Sequence, residues 1–548
     1  MRRRIWLFLG IVTASWLGQT RVLGQEALRS EWHYDKLDLT LSIAPERGEL
    51  RILADGDLEL TGAAASDLQL HINGNWYTLR FVAVLISGAT VAINSTDPKH
   101  PAWRIATAHF AKAVQPGAHV PIHFEIVKDR DAFPLAVKPN AAVAISEASW
   151  YPILDDSSYD LPAGRLAFHV PADWHVATMG TLVSHVQRGN ENVETFDVHE
   201  NRRLAFIAAP YKVHQTESPS GTNMFYQLDA PLDSASLLAA FDRGRKFLEA
   251  KYGPVPFPDY RIAEMPNDIV PWYGASEPGL IISRNEMMMS EEGLLGNIVH
   301  ELAHSWWGNK VVPEGPGGLL LNEGMASYSG MSFFEAAYGR EHVIEQNEFG
   351  SPTGSPDATI YGYMQIWRAG KDVPISQLKS GNGDHYNISQ TKGVWVLRML
   401  SDRIGSDRFY AALRQLIATH PTLTLADFRT AMVDASHGDP ELLLFLAQWL
   451  DHPGIPVLEA RWRNETKDDK TRAIVSIFQG QPDNLYTLHI DLKLRTRKGI
   501  LTRTADLAGP DTRLELEVPG EVVGIELDPD HKILIWRPHY GDPPVSTH

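Results

Sequence analysis

The sequence predicts a multidomain α+β protein: an N-terminal β saddle or sandwich, a mainly helical middle and a small C-terminal β-sandwich. Three observations carry this expectation. The chain of 548 residues is long enough for several domains. Apolar residues alternate with polar ones near both ends, the period of half-buried strands. Between those regions the apolar period lengthens to that of a helix. The expected divisions are a targeting segment at 1–24, a β domain at 25–215, a helical domain at 216–455 and a second β domain at 456–548.

The first residues are read as a signal for export. Arg2-Arg3-Arg4 form a basic start, and Ile5 to Leu17 are mostly apolar but too few to span a bilayer. Val22-Leu23-Gly24 offers small-residue cleavage chemistry before Gln25, so the mature chain is expected to be periplasmic or secreted. An uncleaved N-terminal anchor is the alternative, and no later stretch suggests membrane insertion. The chain has no cysteine, which excludes disulfides and thiolate-held metal. An exported protein of this kind must be held by its cores alone.

Leu37, Leu39, Leu41 and Ile43 alternate with polar residues, as do Leu58 and Leu60, and Leu68, Leu70 and Ile72. Asn73-Gly74 and Gln115-Pro116-Gly117 are turn signals between such runs. Helices are expected at 234–252, 290–308, 321–338, 389–404, 407–419 and 424–450. From about residue 470 alternation returns in Leu488-Ile490-Leu492-Leu494 and Leu514-Leu516-Val518. The Pro-rich tail after Arg537 is expected to fray. A net charge of −17 implies no basic surface able to neutralise phosphates, so nucleic acid is not an expected partner.

The chemistry concentrates in His300-Glu301-Leu302-Ala303-His304, followed after 18 residues by Glu323. Two histidines at i and i+4 lie one turn apart on one helix face, where both imidazoles can grip one metal ion. With 22 histidines in the chain, context must decide whether the motif is accidental. Ser290-Glu291-Glu292 resembles an N-cap with acids in the first turn. Leu294, Leu295, Ile298, Val299 and Leu302 follow at helical spacing, and Gly308 offers a stop. A carboxylate from a second helix, Glu323, completes a His₂Glu set. Such a set leaves one tetrahedral position of Zn²⁺ open for water, as in a hydrolase rather than a structural zinc site.

Three stretches in order then carry a family resemblance: Tyr273-Gly274-Ala275-Ser276-Glu277-Pro278-Gly279-Leu280-Ile281, His300 to Asn309, and Leu321-Asn322-Glu323-Gly324-Met325-Ala326-Ser327-Tyr328. The chain resembles the aminopeptidase N family of zinc metallopeptidases, the gluzincin aminopeptidases that include leukotriene hydrolase. The resemblance implies a short member of that family, expected to lack its common large helical C-terminal domain. The resemblance implies a thermolysin-like catalytic domain and one Zn²⁺ per chain held by His300, His304 and Glu323, with Glu301 as general base. It also implies that Glu277, with Gly274 and Ala275 beside it, binds substrate: peptides with a free N-terminus, whose α-amino group pairs with the Glu277 carboxylate.

Glu147 lies roughly where the family's β domain reaches the site, as a second amine contact or as a surface residue. Asn322 is expected to cap the second helix, Trp306 and Trp307 to pack, and Met287-Met288-Met289 to fill core or line a pocket.

The chain also departs from the family pattern. Ser276 and Pro278 replace the family's methionine and asparagine. In Gln390-Thr391-Lys392-Gly393, Gln390 stands where the family has the tyrosine that stabilises the oxyanion; Tyr386, four residues upstream, is the other candidate. The expected function is hydrolysis of the N-terminal residue from peptides. Two readings remain beside it, a weakly active or inactive peptide-binding member of the fold and a zinc endopeptidase.

Overall fold

The computed structural model describes residues 32–72, 78–96, 103–132, 134–154, 163–199, 204–229, 233–269, 274–284, 291–343, 359–467, 470–482 and 484–544. The signal at 1–24, the Asn73-Gly74 turn, Tyr273, Met287 to Met289 and the Ser290 cap lie outside the described residues.

The period-two alternation becomes sheet. Trp32–Ala44 pairs antiparallel with Glu49–Leu60 and parallel with Gly164–Pro171, at the centre of a seven-stranded sheet. Leu37, Leu39, Leu41 and Ile43 all point inward and are buried. A three-stranded sheet (Ala65–Ile72, Arg104–Val114, Ala89–Thr96) and a four-stranded one (His175–Thr178, Phe206–Ala209, Ala141–Ala144, Leu135–Lys138) share that core. Pairing through side chains on alternate faces fixes this register, since a one-residue slip would turn Leu39 and Leu41 to solvent.

A five-stranded sheet separates this region from the helices. Its order is Lys212–Ser218, Gly221–Gln227, Tyr260–Met265, Leu280–Arg284 and Gly274–Glu277, with the last strand antiparallel at the edge. The expected division at 215/216 falls inside its first strand. Alternation makes this sheet a wall between two cores. Tyr260, Ile262 and Ile281 face the helical core, whereas Ala263, Met265, Leu280 and Ile282 face the N-terminal one.

Helix α1 (Ser234–Tyr252) has the expected bounds; Asp233 caps it by accepting from the Ser236 N–H at 3.0 Å. Helix α2 (Glu291–Ala303) stops before Gly308, so His304 is the first residue beyond its last turn. Helix α3 (Met325–Tyr338) is preceded by a π-helical turn, Leu320–Gly324. A second π turn, Ser389–Gly393, joins Gly383–Ile388 to Val394–Ile404. Neither π turn is among the expected elements, nor is the helix Ile360–Arg368.

The helix expected over 424–450 is two helices, Leu425–Ala435 and Leu442–Leu450. The break runs through Ser436-His437-Gly438-Asp439-Pro440; His437 and Gly438 adopt φ of 55° and 88°, and Pro440 has no N–H to continue a helix. Two three-stranded sheets follow, Leu458–Lys467, Lys470–Gln479 and Asp511–Val518 facing Gly499–Leu507, Leu488–Thr496 and Val522–Leu527. Their inward residues, among them Val475, Ile490 and Leu492, are continuous with the helical core.

The tail corrects the expectation of fraying. Tyr540 is buried, its ring stands edge-on to Tyr361, and Arg368 donates to the carbonyls of Tyr540 and Asp542. An aromatic anchor and a fork of N–H donors hold the segment on the helix Ile360–Arg368. Among the described residues no helix is long and apolar enough to cross a membrane.

Candidate metal and catalytic site

The last turn of α2 and the residue beyond it bring the two imidazoles together. His300 Nε2 and His304 Nε2 are 3.3 Å apart. Glu323, from the π turn before α3, places Oε2 at 3.5 Å from His300 Nε2 and Oε1 at 3.8 Å from His304 Nε2. Donors around one zinc at about 2.0–2.1 Å stand about 3.3 Å apart, which is the separation of the two imidazole nitrogens, and one donor atom from each of His300, His304 and Glu323 lies within 4.8 Å of the other two. The donor chemistry agrees. His304 Nδ1 is 2.9 Å from the carbonyl of Trp307, which only accepts, so the proton sits on Nδ1 and the Nε2 lone pair faces Glu323 and His300. Ser327 Oγ lies 3.2 Å from His300 Nδ1 and can accept its proton in the same tautomer. The residues fit a metal ion of the zinc type.

Glu301 stands between the two histidines in the chain, on a part of α2 covered by the edge strand Gly274–Glu277. A Cβ on Gly274 would come within 3.2 Å of Glu301 Oε1 and 3.4 Å of Asn297 Nδ2, so the bare backbone there makes room for the carboxylate. Ser276 Oγ donates to the Glu301 carbonyl at 2.8 Å and ties that strand to the helix end. Burial pushes the Glu301 carboxyl up from 4.5 to about 7, His304 opposes this and Glu323 adds to it. Glu323 is displaced the other way. Burial alone would raise it, but His304, His300 and the Gln390 amide hold it at about 2. Adjacent carboxylates driven apart in this way are suited to different tasks, one as a ligand anion and one as a proton carrier.

Glu277 is buried, not a surface residue. Its Oε1 accepts from both the N–H and the hydroxyl of Ser146, at 3.0 and 2.8 Å. Ser146 begins the 3₁₀ turn Ser146–Ala148 of the N-terminal β region, which ends at Ser149 with φ of 43°. That turn also carries Glu147, whose charge reaches Tyr386. The resemblance brings Glu147 towards the site but does not single out Ser146, 131 positions from Glu277, as the residue that meets it.

Trp306 and Trp307 are fully buried and pack around Tyr252. Asn322 does not cap α3; it lies within the π turn, and its Oδ1 would be 2.7 Å from a Cβ on Gly308. Gln390 donates to Glu323 Oε2 at 2.9 Å. Tyr386, one turn earlier, has its phenol pushed up to about 12 by burial and by the charges of Glu323 and Glu147, so it keeps its proton at neutral pH.

Residues 246–449 match the Peptidase family M1 domain. Aminopeptidase M1-B of Oryza sativa subsp. japonica is 28% identical over 38% of this chain and 24% of its own length. Aminopeptidase 2, mitochondrial, of Saccharomyces cerevisiae is 24% identical over 66% of this chain and 39% of its own. Aminopeptidase N of Canis lupus familiaris is 25% identical over 48% and 29%. The chain thus matches well under half the length of these relatives. Among solved structures, an M1 zinc metallopeptidase from Deinococcus radiodurans superposes with a TM-score of 0.57 at 16% identity, covering 78% of this chain and 95% of that one. That likeness is one of fold, with a β-rich N-terminal region followed by a helical one.

Proposed function

We propose that this chain, a member of the M1 peptidase family, is an exported zinc aminopeptidase that removes the N-terminal residue from peptides. The observation that carries the reading is the joint placement of the donor triad His300, His304 and Glu323 with Glu301 under the edge strand bearing Glu277. The relatives named as aminopeptidases support it.

His300, His304 and Glu323 would hold the metal. Zinc bound there would lower the pKa of water towards about 7 and polarise a scissile carbonyl. Glu301 takes the proton of the attacking water and delivers it to the leaving amine. Glu277, fixed by Ser146, pairs with the substrate's α-ammonium group, and Glu147 on the same turn adds negative charge. The register is then set from the substrate's end, so only the first peptide bond reaches Glu301. Tyr386 supplies a protonated hydroxyl towards the developing oxyanion, a position of the kind worth 10²–10³ in rate.

The reading is tested with amino-acyl arylamides and their N-acetylated forms. The unblocked compounds are expected to be cleaved and the acetylated ones spared, and Glu277→Gln is expected to raise KM for the unblocked ones tenfold or more. Equal cleavage of both forms would favour an endopeptidase, and peptide binding without turnover would favour a binding protein. Export is part of the proposal: the mature protein is expected to begin at Gln25, which intact mass measures.

A further inference from the structure

Gln390 occupies a position that the reaction scheme above leaves without a task. Its side-chain N–H donates to Glu323 Oε2 at 2.9 Å, the same oxygen that lies 3.5 Å from His300 Nε2. Both residues stand in π-helical turns, Leu320–Gly324 and Ser389–Gly393. A π turn inserts one residue into a helix and redirects the side chains around it, which is why such turns collect at working sites.

The two turns interlock. Ser389 Oγ donates to the Leu319 carbonyl at 2.9 Å. Across the two turns, a Cβ on Gly393 would come within 2.8 Å of Leu320 Cδ1 and one on Gly324 within 3.1 Å of Ser389 Oγ, so bare glycine backbone lines the close approach on both sides. Lys392, fully buried, donates to the His452 carbonyl at 2.8 Å and anchors the second turn from behind. The backbone carrying Gln390 is therefore fixed against the backbone carrying Glu323, and the amide meets the carboxylate without searching for it.

We propose that Gln390 is a positioning residue for Glu323: its amide holds the carboxylate in the rotamer that faces His300 and His304, and so sets how tightly the site retains zinc. This rests on the reading of those three residues as the ligand set. The contact also turns the amide towards the ligand, which separates position 390 from oxyanion stabilisation. Partners that orient a ligand contribute about 10–100-fold in metal affinity.

The test uses the full chain with Gln390→Ala and Gln390→Met, the second keeping the side-chain length without a donor. Zinc affinity is measured by competition with a chromogenic chelator, and thermal unfolding is followed on the metal-free proteins. Both variants are expected to bind zinc 10–100-fold more weakly while their metal-free Tm stays that of the parent. Affinities within twofold of the parent would overturn the proposal. A loss confined to a variant whose metal-free Tm also falls would overturn it in favour of packing. His300→Ala is the separate control; if it too kept the parent's zinc affinity, the ligand reading itself would fail, and this proposal with it.

Discussion

Replacing Glu301 by glutamine keeps the shape of the side chain and removes its charge, so it separates proton transfer from burial. In the metal-free protein, burial first and then Glu323 raise this carboxyl from 4.5 to about 7 against the pull of His304. A raised acid holds its proton more tightly in the folded than in the unfolded state. The folded state is therefore unpenalised below about pH 4.5, loses stability as pH rises towards 7, and is level above that. At about 1.4 kcal/mol per pH unit, the penalty reaches about 3 kcal/mol.

Glutamine has no charge to bury. Metal-free Glu301→Gln should thus exceed its parent by about 3 kcal/mol at pH 8 and match it at pH 4. Urea unfolding of the two proteins in chelator measures the difference, and groups common to both cancel. With zinc restored, the same variant should lose 10²–10⁴-fold in turnover because no base remains to take the proton. Parallel stability curves between pH 4 and pH 8 would refute the buried-charge argument. Turnover within tenfold of the parent would refute the role of base.

Two further outcomes follow from particular contacts. Tyr386→Phe should lower kcat by about 10²-fold with little change in KM, since the hydroxyl is asked to act on the oxyanion and not on substrate binding; steady-state kinetics on an amino-acyl arylamide measures the split. Gly308→Ala should cost about 1–3 kcal/mol, because φ there is 116° and the new Cβ would stand 2.7 Å from Asn322 Oδ1. That Cβ would lie 3.6 Å from His304 Nδ1, an ordinary contact, so the drop in Tm should come with little change in zinc affinity.

The parts legible in the sequence are those with short-range causes. Leu37 to Ile43 declare their strand by alternation, α1 declares both ends through Asp233 and Gly253, and the spacing of His300 and His304 within a helical context puts both on one face. The break before Leu442 was also written locally, in His437-Gly438-Asp439-Pro440, but the leucines on either side concealed it. What escaped depends on distance or on register. Ser146 reaches Glu277 across 131 positions of chain, and Tyr540 settles on Tyr361 from the far end of the chain. The π turns displace Glu323 and Gln390 from where α-helical counting puts them, so no spacing argument joins the two. Ser276, a departure from the family pattern, is a tie between strand and helix that only the fold reveals.

The proposed activity depends on one zinc ion held by His300, His304 and Glu323. The direct measurement titrates zinc into the metal-free full chain while following hydrolysis of an unblocked amino-acyl arylamide. Activity should rise linearly and level at one zinc per chain, and should stay absent in Glu323→Ala. A protein that carries one zinc per chain and remains inert on every unblocked amino-acyl and peptide substrate would contradict the account.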